Sequence, residues 1–230
     1  MILSKAVILL SGGLDSTTCM AVAASEGHEL YPISFDYHQR HLIELESAKK
    51  IADYYHVSRH LIINTNMESI GGSALTDANI PVPDGNPEHA EDDVPITYVP
   101  ARNLIFLSYA LGYAETLSAE YVYIGVNAVD YSGYPDCRPD FIKSFQTTAD
   151  LATKRTCAEH QPISIVTPLI SLSKGDIIRL AVKLKAPLHL THSCYKGGNV
   201  ACGVCESCKL RRRGFAQAGL TDPITYAADV

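Results

Sequence analysis

The feature that most constrains the fold is an apolar run near the N-terminus that ends in two glycines. Residues 6–10 read Ala-Val-Ile-Leu-Leu, and residues 11–17 read Ser-Gly-Gly-Leu-Asp-Ser-Thr. A short apolar run bounded by glycine is typical of a parallel strand buried on both faces. The glycines permit a tight turn, and the small polar residues after them suit a helix N-terminus. A strand, a glycine turn and a helix N-terminus together predict an anion site, most often for phosphate; an ordinary βα turn is the alternative.

Polar side chains in this segment are candidates to cap the helix that follows. We expect Ser11, Asp15, Ser16 and Thr17 to satisfy its first backbone N–H groups, where the positive end of the helix dipole lies.

The order Ser-Gly-Gly-x-Asp-Ser resembles the pyrophosphate-binding loop of the N-type ATP pyrophosphatases, which cleave ATP between its α and β phosphates. No lysine follows the glycines, in contrast to the Gly-x-x-x-x-Gly-Lys-Ser/Thr loop of other NTPases. Backbone amides and hydroxyls without that lysine suit a pyrophosphate leaving group. Asp15 is a candidate Mg²⁺ ligand, because Mg²⁺ usually combines one or two carboxylates with phosphate oxygens.

Apolar strand patterns and amphipathic helix patterns alternate along most of the chain. Strands are predicted at 29–37 and 59–63, with a helix at 41–55 between them. This βαβαβ order predicts an α/β fold with a doubly wound, mostly parallel five-stranded sheet. The other predicted elements are helices at about 17–25, 104–117, 141–153 and 173–185, and strands at 121–126 and 163–167.

Residues 64–97 interrupt the alternation. The segment is rich in proline and glycine and contains an acidic patch at 88–93. Structureless loops of this length are uncommon in compact domains and are often lids or binding loops. A lid or an interface is therefore one interpretation, and a variable insertion without a role is the other.

Length and composition bound the class of protein. A chain of 230 residues, 47% of them hydrophobic, fits either one large α/β domain or one domain with a small appendage. We expect the second arrangement, with boundaries at 1–185 and 186–230. No apolar run is long enough to span a membrane, and no signal peptide is recognised, so we expect a cytoplasmic protein without a membrane partner. The net charge of −6 disfavours a nucleic-acid partner bound through a basic surface.

Four of the seven cysteines crowd into residues 194–208 with the spacing C-x7-C-x2-C-x2-C. Four thiolates so close in sequence predict a structural Zn²⁺ site formed by Cys194, Cys202, Cys205 and Cys208. An iron–sulfur cluster is the main alternative, although the sequence continues Lys-Leu-Arg where ferredoxin-like runs have another Cys-Pro. His192 is a less favoured replacement ligand. The arginines at 211–213 are expected on the solvated face of a final helix.

A second group of candidates follows the predicted sheet edge. Arg102 and Asn103 are expected at the N-terminal end of an apolar helix. An arginine there could bind an acid or a phosphate with two hydrogen bonds. The alternative is that it pairs with a structural carboxylate. The polar loop at 127–138 directly follows a predicted strand, and ligands of doubly wound sheets bind beyond the carboxyl ends of strands.

These motifs occur in one order that closely resembles the bacterial 7-cyano-7-deazaguanine synthases of the queuosine precursor pathway. The matching segments are 11–17, 35–41 (Phe-Asp-Tyr-His-Gln-Arg-His), 98–103, 132–138 (Ser-Gly-Tyr-Pro-Asp-Cys-Arg) and the four cysteines. Two departures are His38 and Ala101, which stand where the family usually has glycine.

The resemblance implies an adenine nucleotide alpha hydrolase-like fold and the conversion of 7-carboxy-7-deazaguanine, ammonia and ATP into the 7-cyano product through an acyl adenylate and an amide. It also implies ATP, Mg²⁺ and Zn²⁺ as ligands, and a homodimer. Electrostatic stabilisation would dominate such chemistry, so Cys19 and Cys137 are expected to be structural rather than nucleophilic. Ser11, Asp15 and Arg102 are the expected catalytic residues. The expected nucleotide-binding residues are Leu10, Ser11, Gly12, Gly13, Leu14, Asp15, Ser16, Thr17, Thr18, Cys19 and Met20, and the expected substrate-binding residues are Arg102, Asn103, Asp130, Tyr134, Asp136 and Arg138.

Two other functions fit part of the sequence. An ATP-dependent tRNA thiolase would share the loop but would need sulfur-carrying cysteines near it and a basic surface, against which the net charge weighs. A nucleotide-sensing or zinc-based interaction module would bind adenylate without producing AMP.

Overall fold

A computed structural model of the chain describes residues 3–37, 43–85, 94–129 and 133–227. Its helices and strands follow one another in the order β1 (Lys5–Leu9), α1 (Leu14–Ser25), β2 (Glu29–Asp36), α2 (Ile43–Tyr54), β3 (Leu61–Asn64), α3 (Arg102–Leu117), β4 (Tyr121–Tyr123), α4 (Pro139–Ala152), α5 (Lys154–Cys157), β5 (Ser164–Val166), α6 (Lys174–Lys183) and α7 (Glu206–Ala218). Short 3-10 helices lie at Met67–Ser69, Pro135–Cys137 and Leu188–Leu190.

The five strands form one parallel sheet in the order β3-β2-β1-β4-β5, which confirms the predicted doubly wound fold. The central strand β1 is buried on both faces because its alternate side chains enter two different cores. Val7 and Leu9 pack with α3 and α4, whereas Ile8 packs with α1, α2, α6 and α7. This double burial explains why the strand reads as a continuous apolar run.

Helix α1 begins at Leu14, three residues earlier than the sequence predicts, and the predicted side-chain capping is wrong. Its N-cap is Gly13, which has no side chain. The N–H of Leu14 donates to the distant Ser193 Oγ and to none of the predicted capping residues. The hydroxyls of Ser16 and Thr17 instead donate back to the Gly13 carbonyl, at 3.1 and 2.7 Å. Ser16 and Thr17 therefore tighten the turn by donating to Gly13 instead of accepting hydrogen bonds from the first N–H groups of the helix.

Other boundaries also differ from the predictions. Helix α3 begins at Arg102 and not at 104, because Ala101 adopts a left-handed conformation (φ 55°) that ends the preceding turn. Helix α7 begins at Glu206 and so includes Cys208. Strand β4 ends at Tyr123 because β5 offers only three residues to pair with it.

The arginines at 211–213 are not all solvated, which corrects that prediction for one of them. Arg211 is only 3% exposed, and its guanidinium binds the Asp222 carboxylate with two hydrogen bonds of 2.8 and 2.9 Å. Arg212 and Arg213 are exposed.

The described part of 64–97 is packed on the protein. Ala74 and Val82 are buried, and the backbone N–H of Ala74 donates to the carbonyl of Ile96. Asp84 forms a β-bridge with Cys205, and Gly85 donates its N–H to Val204 at 3.0 Å. The segment therefore supports the cysteine region; the acidic patch at 88–93 lies outside the described residues.

Among the described residues, no helix is both long enough and apolar enough to cross a membrane.

Candidate functional site

A cavity of about 310 Å³ opens at the carboxyl ends of β1, β2 and β4. In the order β3-β2-β1-β4-β5 the connections change direction between β1 and β4, and this is where doubly wound sheets bind ligands. Two regions of the cavity wall are defined here. The loop end comprises residues 11 and 13–16 with Lys174, His192 and Ser193. The aromatic end comprises Phe35, Tyr37, Arg102, Phe106, Tyr134 and Tyr195.

Gly12 holds the loop end against α2. Its φ is +86°, and a Cβ added there would lie 2.1 Å from the Glu44 carbonyl oxygen and 2.8 Å from the Ala48 nitrogen. Only glycine permits both this conformation and this close approach. The Gly12 carbonyl also accepts a hydrogen bond of 2.9 Å from the His192 N–H. The turn therefore packs against α2 on one side and is hydrogen-bonded on the other side to His192, which precedes the first cysteine of the cluster.

The rest of the loop end is a compact set of hydroxyls and amides. The Ser11 hydroxyl donates to Ser16 Oγ at 3.0 Å, and the Gly13 N–H donates to Ser11 Oγ at 3.4 Å. The long second contact leaves the Gly13 N–H weakly held. Together with the positive end of the α1 dipole, these groups form a surface suited to an anion.

Lys174 brings to the loop end the cation that the loop sequence lacks. Its Nζ donates to both carboxylate oxygens of Asp15, at 2.9 and 2.7 Å, and its side chain is 15% exposed. Ser173 caps α6 by accepting a hydrogen bond from the Asp176 N–H, which places Lys174 in the first helical turn. Lys174 was not predicted as a site residue from the sequence, although its place directly after the helix cap Ser173 was an available signal.

The aromatic end is built around a stacked pair and a buried arginine. The rings of Phe35 and Phe106 lie 3.8 Å apart and 3° from parallel. Arg102 donates to the Tyr37 hydroxyl at 3.4 Å, and its guanidinium lies 6.0 Å from the centre of the Tyr134 ring. Burial raises the pKa of Tyr37 and Tyr134, so both phenols are neutral at pH 7.

Arg102 has no acidic partner in the described part of the chain. No described carboxylate lies within ion-pair distance of its guanidinium, so the alternative of a structural ion pair finds no support there. An arginine that faces a cavity without a carboxylate partner can bind an anionic ligand with two parallel hydrogen bonds.

Glu44 lies in the cavity wall in the first turn of α2, and sequence reasoning missed it. The side chain is half-buried. Burial raises the pKa of Glu44 to about 7, although the positive charge of Arg102 opposes the shift. A carboxyl group with this pKa can either hold or release a proton near neutral pH.

The predicted substrate-binding residues separate into two groups. Arg102, Asn103 and Tyr134 line the cavity, whereas Asp136 and Arg138 do not. The Asp136 carboxylate instead accepts a hydrogen bond of 2.8 Å from the Asn103 N–H and so caps α3. Asp130 lies outside the described residues, and so does His38.

The predicted nucleotide-binding residues also separate. Those that line the cavity are Leu10, Ser11, Gly13, Leu14, Asp15 and Ser16. Gly12 lies behind the loop, and Thr17, Thr18, Cys19 and Met20 are buried within α1. Burial also raises the pKa of the Cys19 thiol, and Cys137 likewise has a pKa raised to about 12, so neither is a thiolate at neutral pH.

The four clustered cysteines converge as their spacing predicts. The sulfur atoms of Cys194, Cys202, Cys205 and Cys208 all lie within 4.8 Å of one another, and the Cys202 and Cys208 sulfurs are 3.9 Å apart. Tetrahedral zinc with Zn–S bonds of about 2.3 Å requires sulfur–sulfur separations of this size. The backbone N–H groups of Cys202 and Cys205 donate to cysteine sulfurs at 3.3 Å, which supports thiolate ligands. His192 is not part of this cluster.

The cysteine cluster is continuous with the cavity wall. Ser193 and Tyr195 flank Cys194 and line the two ends of the cavity. The Leu14 N–H donates to Ser193 Oγ at 3.4 Å. One short segment therefore connects the loop end, the metal-ligand set and the aromatic end.

Comparison with known proteins gives a consistent result over nearly the whole chain. The sequence model of the family described as "Queuosine biosynthesis protein QueC" matches residues 5–219. A 7-cyano-7-deazaguanine synthase of Desulfitobacterium hafniense is 59% identical over 97% of this chain and 94% of that protein. The enzyme of the same name from Acetivibrio thermocellus is 58% identical over 96% of this chain and 97% of that protein.

Solved structures with much lower identity share the fold. A 4-thiouridine synthetase in complex with RNA and ATP superposes with a TM-score of 0.54 at 16% identity, covering 94% of this chain and 50% of that one. A predicted tRNA methyltransferase subunit from Methanocaldococcus jannaschii gives a TM-score of 0.50 at 14% identity, covering 98% of this chain and 93% of that one. These likenesses place the parallel sheet in the adenine nucleotide alpha hydrolase-like class and concern the fold alone.

Proposed function

The chain belongs to the 7-cyano-7-deazaguanine synthase family of queuosine biosynthesis, and from that premise we propose that it converts 7-carboxy-7-deazaguanine, ammonia and ATP into 7-cyano-7-deazaguanine. One observation carries the proposal beyond the family name. A single cavity joins an anion-binding loop to a cationic arginine surrounded by aromatic rings. A reaction between ATP and an aromatic carboxylate requires both a site for the ATP phosphates and a neighbouring site for the aromatic acid.

The proposed chemistry has two activations. A substrate carboxylate oxygen attacks the ATP α-phosphorus, an acyl adenylate forms, and pyrophosphate leaves. Ammonia attacks the acyl carbon, the bond to the AMP oxygen breaks, and an amide and AMP result. The amide oxygen then attacks the α-phosphorus of a second ATP, and pyrophosphate leaves. The adenylated amide loses both N–H protons, and its carbon–oxygen bond to AMP breaks with the electron pair on AMP, which gives the nitrile.

The loop end would hold the pyrophosphate of ATP. Ser11, the Gly13 N–H and the N-terminus of α1 supply donors, and Lys174 supplies a positive charge within reach of Asp15. Groups fixed before the reaction stabilise developing negative charge most effectively. Asp15 also fits a Mg²⁺ site with phosphate oxygens, and there a metal ion would share or replace the contact with Lys174.

The aromatic end would hold the deazapurine. The Phe35–Phe106 stack offers an apolar wall for a flat heterocycle, and Arg102 offers two donors to its carboxylate. The rings of Tyr134 and Tyr195 enclose the arginine and would exclude water from the reacting carboxyl group.

The cysteine cluster would hold one Zn²⁺ in a closed structural role, since four sulfur ligands leave no open position. Elemental analysis of the purified protein is expected to give one zinc per chain. Iron together with visible absorbance would instead establish the iron–sulfur alternative.

Two further expectations belong to this proposal. Residues 186–230 would form the zinc-binding appendage of an ATP-binding domain at 1–185, and the active protein would be a homodimer. Light scattering of the purified protein tests the second expectation.

The decisive experiment is a turnover assay with all three substrates. We expect AMP, pyrophosphate and a base lighter than the starting acid, each dependent on the deazapurine acid. Absence of AMP together with an unchanged base mass would refute the proposal. Adenylate binding without AMP would identify a nucleotide-binding module.

A further inference from the structure

We propose that Glu44 binds the ammonium ion and accepts its proton, so that free ammonia is produced beside the acyl adenylate. This inference rests on the proposed function and assigns a catalytic residue to its nucleophilic step. The reaction needs such a group because an amine is mostly protonated at neutral pH and a protonated nitrogen has no lone pair for attack.

The position of Glu44 is the first observation. Its side chain lines the cavity from the first turn of α2, and its backbone carbonyl packs against Gly12 of the loop end. The same residue is electrostatically coupled to Arg102 of the aromatic end. The Glu44 carboxylate therefore lines the same cavity that an acyl adenylate bound to both ends would occupy.

The lack of a committed partner is the second observation. No hydrogen bond or ion pair joins the Glu44 carboxylate to another side chain in the described ranges. Besides burial, the charges of Arg102 and of the Cys194 thiolate act on its pKa, Arg102 lowering it and Cys194 raising it. Burying a carboxylate without a partner costs free energy. A cation that enters the cavity can therefore pair with Glu44 without first displacing another group. Ammonium provides both the positive charge and four N–H donors.

Most of the other titratable groups in the cavity wall are unsuited to this role. Asp15, the other carboxylate in the cavity wall, pairs with Lys174, and the Arg102 guanidinium is already protonated and cannot accept a proton. Tyr134 and Tyr195 are buried phenols whose pKa values are raised, and burial of Cys137 keeps its thiol neutral. His192 lines the cavity beside the loop. The pKa of Glu44, raised by burial, makes its carboxylate a stronger base than an ordinary glutamate.

The proposed step is balanced. Glu44 takes one proton from NH₄⁺, the nitrogen lone pair forms a bond to the acyl carbon, and the carbon–oxygen bond to AMP breaks with its electron pair on AMP. The nitrogen then loses its second excess proton to water. Protonated Glu44 returns its proton to solvent before the next cycle.

The test compares Glu44→Gln with Glu46→Gln, a matched change on an exposed residue of α2 whose partner is Lys49. At neutral pH we expect Glu44→Gln to lower kcat/KM for ammonium about 100-fold, the usual size of general-base catalysis. Glu46→Gln should stay within about twofold of the wild type. The loss in Glu44→Gln should shrink at alkaline pH, where free ammonia is already abundant.

Hydroxylamine, used in place of ammonium, distinguishes loss of base catalysis from general damage to the site. Its nitrogen is mostly unprotonated at neutral pH, so it can attack without a base. Glu44→Gln should therefore lose far less rate with hydroxylamine than with ammonium, and Glu44→Asp should recover part of the ammonium rate. Equal losses with both nucleophiles at all pH values would overturn the inference. A wild-type protein that forms no adenylate would instead refute the proposed function itself.

Discussion

The loop end of the cavity draws most of its groups from the single run 11–16, whereas the aromatic end draws on four separated parts of the chain around positions 35, 102, 134 and 195. Backbone conformation creates the first region, and side-chain packing creates the second. Changes at the loop end should therefore act on the fold and on ATP together. Changes at the aromatic end should act on the second substrate with little effect on stability.

The largest effect is expected from Gly12→Ala. The new methyl group would meet the Glu44 carbonyl oxygen at 2.1 Å and would also force a residue with a side chain to φ +86°. We expect the free energy of unfolding to fall by about 4 kcal/mol. The control is Gly27→Ala, where φ is +81° but no atom lies within 4 Å of the new Cβ, and there we expect a loss of about 1 kcal/mol. Urea denaturation measures both, and equal losses would show that strain alone matters at Gly12.

Lys174→Met should have the next largest effect, on ATP. It removes the cation of the loop end and leaves Asp15 without its partner. We expect kcat/KM for ATP to fall by about 100-fold to 1,000-fold. Steady-state kinetics measures the loss, and Lys183→Met on the exposed end of the same helix should be nearly neutral. An unchanged kcat/KM for ATP in Lys174→Met would show that Lys174 does not contribute to the binding or reaction of ATP.

Arg102→Gln tests the aromatic end. Loss of a charge-assisted pair should raise KM for the deazapurine acid by about 10-fold to 100-fold, while KM for ATP changes much less. Arg102→Lys should recover only part of the loss because lysine has no bidentate geometry. If KM for ATP rose as much as KM for the acid, the two ends would not be separate sites.

The titration of Glu44 predicts a pH dependence of stability. Its folded pKa of about 7 lies above its ordinary value of 4.5, so the folded state binds a proton that the unfolded state has released between these values. The free energy of unfolding should therefore fall as the pH rises from about 4.5 to about 7, and this contribution should be absent above that range. Relative to Glu44→Gln, the free energy of unfolding of the wild type should fall by on the order of 2 kcal/mol between pH about 4.5 and about 7. Urea unfolding of both proteins at several pH values measures the difference; a constant difference would place Glu44 in a solvated setting.

The smallest effect is expected at Ala101, which holds the start of α3 in a left-handed conformation that favours glycine. Ala101→Gly should relieve that strain and raise the free energy of unfolding by up to about 1 kcal/mol, since the added flexibility of the unfolded chain offsets part of the gain. Thermal unfolding measures the shift. A lower melting temperature would show that the Ala101 methyl group contributes packing that outweighs its strain.

The sequence predicted the sheet well because each strand is an apolar run that ends at a turn. Strand positions agree within a few residues, and the alternation of helices and strands indicated parallel order. The starts of α1 and α3 were predicted less well because the N-caps are Gly13 and Ala101, and neither carries a capping side chain. The buried Arg211 was missed because it lies in a run of three arginines, and only its ion pair with Asp222 distinguishes it from the others.

The glycine loop at 11–16 and the four-cysteine cluster were determined by the sequence itself, since both are made from residues close together in the chain. Backbone conformation and ligand spacing are local properties, and the residue types reveal them directly. Tertiary structure alone decided that Lys174 meets Asp15 across 159 residues, that Asp136 caps a helix, and that Glu44 and Arg102 share one cavity. These contacts form because a parallel sheet brings the carboxyl ends of its strands to one edge. The raised pKa of Glu44 could not be predicted from the sequence because it depends on burial in the folded protein.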